Sequence, residues 1–310
     1  VIRFFSGEHV RRAVSPADAV EAVRTAFVAY ANAEWTMPPK VYVPAYPAGD
    51  FRAMPALGAG HALLKWVTSF PGNPAQGLPT VTGLVLLSDA SNGALLAALD
   101  AAAVTALRTG AAAVLAAETL GRADASTAAV VGAGVNGAAV AETFVARGRD
   151  VAIHDVDRER AKDLAERVGG RVVSHGEALA ADLVVTVTPG REVVFEAGSI
   201  GAGQHVSLMG ADGPGKQEIA AEELRRVRVF CDDWGQASHN GDLVHAVEAG
   251  LLGRDDVTQL GDVLAGKAAG RASDDDATVF DSTGLAIQDL AIALAALERA
   301  DVLDLPSVAL

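Results

Sequence analysis

Residues 127–142 read TAAVVGAGVNGAAVAE. Four apolar residues, Ala128 to Val131, run into glycines at 132, 134 and 137, and an apolar helix-forming segment follows. This is the GxGxxG pattern in the setting that gives it meaning, after a strand and at the opening of a helix. Gly132 permits a tight turn, Gly134 lets backbone N–H groups reach a pyrophosphate, and Gly137 lets helix and strand pack closely. Val135 and Asn136 stand at the helix start, where unpaired N–H groups favour negative charge. Asp155, 21 residues after Gly134, ends the next apolar strand. A carboxylate there accepts hydrogen bonds from both ribose hydroxyls and repels a 2′-phosphate. NAD is therefore expected in preference to NADP, although Arg158 and Arg160 soften the preference.

Downstream, VAIHD, ADLVVTVTPG, GQHVSLMGADG and RVRVFCDD are apolar strands, and DRERAKDLAERVG is a helix. Alternating strands and helices argue for α/β architecture with a parallel sheet covered on both faces. After residue 240 the chain is expected to be helical again, with a broad apolar face over 282–300. Upstream, residues 16–34 form an amphipathic helix in which Val20, Val23, Phe27 and Tyr30 recur at helical spacing. Residues 41–100 differ: VYVPAY, ALLKWVT, TVTGLVLLSD and ALLAALD are short and separated by turns, and SDASNG suits a hairpin. They predict a mostly antiparallel sheet. An Ala-rich helix over 101–120 follows, with Asp100 placed to cap it and Gly121 to stop it.

At 310 residues the chain suffices for one large or two ordinary domains. A net charge of −14 argues against nucleic acid and anionic membranes as partners, but not against small anions that respond to local charge. The lone Cys231 excludes an internal disulfide framework and suits a reducing compartment. No signal peptide and no run of about 20 apolar residues is evident. The expectation is a soluble cytoplasmic protein. His175, His239 and His245 lack partners at metal-ligand spacing, so no metal site is expected. His154, Trp66 and Trp234 read as structural residues.

One residue resists the apolar reading. Lys65 stands between Ala62-Leu63-Leu64 and Trp66-Val67, in a chain with 20 Arg and only five Lys. Lysine is rarely buried without a partner, so an ammonium here calls for a role.

Taken together, LKWVTSFPGNPAQGLPTVTGLVLLSDASNGALLAALD, TALRTGAAA, GAGVNG, GADGPGKQEI and VFDSTGLAIQDLA resemble the ornithine cyclodeaminase/μ-crystallin family over nearly the whole chain. The resemblance implies a Rossmann NAD-binding domain, 111–286, and an α+β substrate-binding and dimerisation domain, 1–110 with 287–310. It implies a homodimer acting on a small amino acid, 2-oxo acid or imine. Lys65 matches a lysine that contacts the substrate carboxylate or carbonyl, and Lys40 a basic carboxylate-binding position. Arg108 matches an arginine between substrate and cofactor. Asp212 matches the acid/base carboxylate of cyclodeaminases, and Thr283 faces the substrate. Thr80, Thr109, Thr188, Met209, Gly210, Lys216 and Ser282 join the glycine turn as cofactor contacts. Three of the five lysines thus fall in site segments.

Arg52 differs from the glutamate of ornithine cyclodeaminase. A basic group suits a second contact to a small 2-oxo acid and repels the distal ammonium of ornithine. The resemblance, read with this difference, implies an alanine-type dehydrogenase or imine reductase, in which Lys65 polarises the reacting bond or delivers a proton and Asp212 activates water. The same first step, with a side-chain amine replacing water, gives an ornithine or lysine cyclodeaminase. A non-catalytic NAD(P)H-binding protein of the μ-crystallin type is the third reading.

Overall fold

The quoted segment folds as a buried strand, Ala128–Val131, a glycine turn and a helix, Val135–Ala146. The computed structural model describes residues 1–190, 192–213 and 215–309. Pro214, within the GADGPGK segment, and Leu310, within the segment assigned above to 287–310, lie outside the described residues. The chain divides into two units, Val1–Arg108 with Leu285–Leu310, and Thr109–Gly284. The joins fall two residues before those expected.

The second unit holds an eight-stranded parallel sheet. From one edge its strands are Val257–Gln259, Arg228–Cys231, Thr278–Asp281, His205–Leu208, Leu183–Thr186, Ala128–Val131, Val151–His154 and Arg171–Val172. The central strands are buried throughout, as helices on both faces require. From Ala128–Val131 the chain steps outward to Val151–His154 and Arg171–Val172, then crosses back to Leu183–Thr186 on the other side. That reversal puts the glycine turn at a topological switch point, beside the carboxyl end of Leu183–Thr186, where open α/β sheets bind ligands. The helix Arg158–Val168 starts on Asp157, which accepts from the N–H groups of Glu159 and Arg160, and ends on Gly169.

The first unit holds a seven-stranded mixed sheet: Ser307–Val308, Ile2–Phe5, Leu95–Asp100, Val81–Asp89, His61–Ser69, Gly49–Gly58 and Val41–Ala45. Only Ile2–Phe5 and Leu95–Asp100 run parallel. Alternation along the strands sets the two faces. Asp50, Arg52, Met54, Leu63, Lys65, Val67, Val85 and Leu87 point inward. The helix Ala286–Glu298 packs on Gly49–Gly58, His61–Ser69 and Val81–Asp89, and Pro16–Ala31 packs on that helix. The opposite face leaves Val41, Val43, Leu64, Trp66 and Leu84 exposed, with Trp66 stacked on Phe51.

The helix Ala101–Leu120 starts on Asp100, whose carboxylate accepts from Ala103 N–H. Contrary to the expectation that no such run exists, it is long and apolar enough to cross a bilayer; 78% of its apolar window is buried within the protein, as befits a core helix. Two other expectations are corrected. The region after 240 is not simply helical, because Val257–Gln259 and Thr278–Asp281 are strands of the parallel sheet. The last helix begins at Ala286 rather than 282, because the N–H groups of Thr283 and Gly284 donate to the Asp232 carboxylate instead of entering a helix.

A side chain at Gly137 would run into the carbonyl of Gly132. Gly137→Ala is expected to destabilise the protein by about 2 kcal/mol, read as a lowered midpoint in denaturant unfolding; an unchanged midpoint would contradict this packing.

Candidate active site

In the first unit, Lys65 is buried and its Nζ donates to Asp289 Oδ1 at 2.9 Å. Asp289 lies in the opening turn of Ala286–Glu298, where free N–H groups favour an anion. Arg108 approaches the same oxygen, Nε to Oδ1 at 3.7 Å, and its Nη1 donates to Gln288 Oε1 at 3.5 Å. Gln288 in turn accepts from Leu285 N–H, closing the helix start. Arg52 sits on the strand beside Lys65, buried rather than solvated. Its Nε and Nη2 donate to the two oxygens of Asp50, at 2.6 and 3.3 Å, and its guanidinium lies 5.3 Å from the Tyr42 ring centre.

The cluster therefore sets three cations, Lys65, Arg108 and Arg52, against two carboxylates, Asp289 and Asp50. Burial lowers the Lys65 pKa from 10.5 to about 8; Asp289 opposes that shift, and Arg108 and Arg52 add to it. The unfolded chain thus holds this proton more tightly, and between pH 8 and 10.5 the site makes the fold more stable as pH rises. Asp289 Oδ2, Arg108 Nε and Gln288 Nε2 are buried with no hydrogen-bond partner among the described residues. Buried polar atoms ordinarily have one. Lys40 lies half-buried just before Val41–Ala45, and Thr80 just before Val81–Asp89.

The second unit assembles a candidate dinucleotide site. Gly132 has φ +108°, and a side chain there would strike Val187 O, just past the adjoining strand Leu183–Thr186. Gly134 is extended, with nothing within 4 Å of an added Cβ. Val135 and Asn136 open the helix, Val135 being exposed. Asp155 accepts from Ala133 N–H at 2.6 Å and from Asp157 N–H at 2.8 Å, which holds its carboxylate at the glycine turn. An open approach at Gly134, a helix N-terminus and a carboxylate alongside fit a pyrophosphate and a ribose.

The other expected cofactor contacts are organised by acids that sequence reasoning missed. Buried Glu218 accepts from Thr186 Oγ1, Thr188 N–H, Thr188 Oγ1 and Gly210 N–H, tying together the ends of two central strands. Met209 is buried between them. Asp242 accepts from Glu218 N–H and Ile219 N–H, and burial together with Glu218 raises its pKa to about 8. Asp281 is pushed well above the ordinary carboxylate value by burial and by Asp242 and Asp232. Asp232 accepts from Ser282 Oγ, Thr283 N–H, Thr283 Oγ1 and Gly284 N–H. Lys216 Nζ pairs with Asp212, and both are about one-third exposed. Thr109 is buried, its hydroxyl without a partner among the described residues. Among the described residues, no group of three or more His, Cys, Asp or Glu is disposed to hold a metal ion.

Two of the missed residues leave a trace in the sequence. Asp289 is the one acid within the apolar run LAIQDLAIALAAL, and Asp232 follows the apolar strand RVFC.

Comparison with known proteins agrees with this geometry. The ornithine cyclodeaminase/mu-crystallin family model matches residues 4–302. An alanine dehydrogenase of Archaeoglobus fulgidus is 42% identical over 301 residues, 94% of this chain and 93% of its own. The solved archaeal alanine dehydrogenase dimer with bound NAD superposes with a TM-score of 0.92 at 40% identity, over 97% of this chain and 96% of its own. A Thermococcus litoralis Delta(1)-pyrroline-2-carboxylate reductase, solved with NADH and L-proline, gives 0.91 at 26% identity, over 97% and 98%.

Gly134→Ala places a methyl in open space on permitted backbone, so its Tm should match that of the parent chain. NADH should raise the Tm of the parent and leave the variant almost unmoved. An equal rise in both would remove the glycine turn from the cofactor site.

Proposed function

The chain belongs to the ornithine cyclodeaminase/mu-crystallin family, and from that membership and the Lys65 cluster we propose that it is an NAD-dependent amino acid dehydrogenase or imine reductase of the alanine type. The observation that carries this reading is the charge of the cluster. Three cations against two carboxylates leave one positive charge, the complement of a single substrate carboxylate. Two of its orphaned atoms, Arg108 Nε and Gln288 Nε2, are donors, as an anion requires. Both acids are already paired with cations, which disfavours the distal ammonium of ornithine and favours dehydrogenation over cyclodeamination.

Gly132 to Asn136 would hold the pyrophosphate of NAD, and Asp155 the ribose. Bound there, NAD or NADH supplies the hydride acceptor or donor for the substrate α-carbon. Arg108 and Lys40 bind the substrate carboxylate, and Arg52 and Thr283 line the substrate. Arg52, held at one edge by Asp50, keeps a fixed orientation. Lys65 hydrogen-bonds the reacting carbonyl or imine and, in the reductive direction, delivers a proton to it. A lysine lowered to about 8 is a far better proton donor at neutral pH than an exposed one. In the oxidative direction Asp212 activates the water that adds to the imine. Ammonia leaves and a 2-oxo acid remains.

The apolar outer face of the mixed sheet supports a homodimer. Exposed Val41, Val43, Leu64, Trp66 and Leu84 form a surface of the kind that marks an interface, and a second copy of this chain is its occupant.

With NAD and L-alanine, NADH and ammonia should rise together; ammonia from L-ornithine without NADH would instead mean cyclodeamination. Lys65→Ala should bind NADH normally and lose at least about 10²-fold in kcat. Reductive kcat/KM, at constant free ammonia, should fall as pH rises through about 8, because Lys65 must carry its proton. Replacing Trp66 and Leu84 together by glutamate should convert two chains to one by light scattering, whereas an unchanged mass would place the interface elsewhere.

A further inference from the structure

The partner of Lys65 does more than balance its charge. Asp289 lies 224 positions away in the chain and is fully buried, held in the opening turn of Ala286–Glu298. One of its oxygens, Oδ1, faces both cations, Lys65 Nζ at 2.9 Å and Arg108 Nε at 3.7 Å. Its neighbour Gln288 holds the other end of Arg108 through Oε1. Two consecutive side chains of one helical turn therefore fix the lysine and the arginine relative to each other.

We propose that Asp289 is a positioning residue, which locks the Lys65 ammonium and the Arg108 guanidinium into one unit and sets the pH range over which Lys65 can donate. The inference rests on the proposed role of Lys65 as proton donor. The charged groups facing Lys65 come from three elements. The final helix contributes Asp289, the long helix Arg108, and the strand Gly49–Gly58 Arg52 with its partner Asp50. The buried residues of the strand Val81–Asp89 on this face are Val85 and Leu87. Asp289 is thus the group that favours the protonated lysine, while desolvation, Arg108 and Arg52 all oppose it. Without the Asp289 charge, the carboxylate that hydrogen-bonds the ammonium no longer stabilises it, and Lys65 becomes neutral at a lower pH.

Asp289→Asn keeps the shape and an acceptor for Lys65 but removes the charge; Asp289→Ser is a second neutral variant, and Asp289→Glu retains the charge. All three should bind NADH as the parent does. In both neutral variants the pH at which reductive kcat/KM declines should move down by about one unit or more, and the loss at pH 8 should exceed that at pH 6. Asp289→Glu should restore the decline towards the parent position. A purely structural role would lower activity equally at all pH values. Turnover surviving in Lys65→Ala removes the proton-donor reading and this inference with it. An inactive Lys65→Ala beside an unmoved profile in the neutral Asp289 variants overturns the Asp289 inference alone.

Discussion

The buried ion pair between Lys65 and Asp289 is the constraint around which the inward face of the first unit is arranged. A lone ammonium taken out of water is strongly disfavoured, and the usual outcome is loss of its proton. Here the effects that remove the proton outweigh the one that holds it. Desolvation and two neighbouring guanidinium groups push the proton off, and one carboxylate at 2.9 Å holds it on. The result is a lysine close to the midpoint of its titration at physiological pH, where small changes in surroundings alter its charge. Buried ion pairs are weak contributors to stability. This one is better understood as a chemical device that the fold tolerates.

The second unit uses buried acids differently. Glu218 and Asp232 each collect several N–H and O–H donors and so fix the turns at Thr188, Gly210 and Ser282 to Gly284. The carboxylates substitute for secondary structure where the chain leaves the sheet. The side chains expected at the cofactor, Thr188 and Ser282, have hydroxyls that already donate to these acids. They shape the strand ends, and the open backbone at Gly134 remains the most direct route to a phosphate.

The glycine turn, the helix over 101–120 and the antiparallel run over 41–100 were legible in the sequence because each rests on local chemistry: glycine at a positive φ, a continuous apolar helix, and alternation between turns. Lys65 was legible as an anomaly, a charge within an apolar strand. Its partner was not, since pairing over 224 residues is set by how a distant helix packs on the sheet. The same holds for Asp50 with Arg52, where two charges two residues apart on one strand share an inward face only once the register is known. The strand Thr278–Asp281 escaped because four residues beside an acid carry too little pattern, and the start of the final helix was misplaced because Asp232 captures the N–H groups that would have extended it.

Lys65 is a buried, still-protonatable lysine whose pKa burial strongly lowers. Selective carbon labelling at Cε, with the Lys65 signal assigned by its loss in Lys65→Arg, allows its titration to be followed directly by NMR in a chain with only five lysines. The account predicts a midpoint near pH 8. A Lys65 signal titrating at the ordinary lysine value of about 10.4 would contradict it.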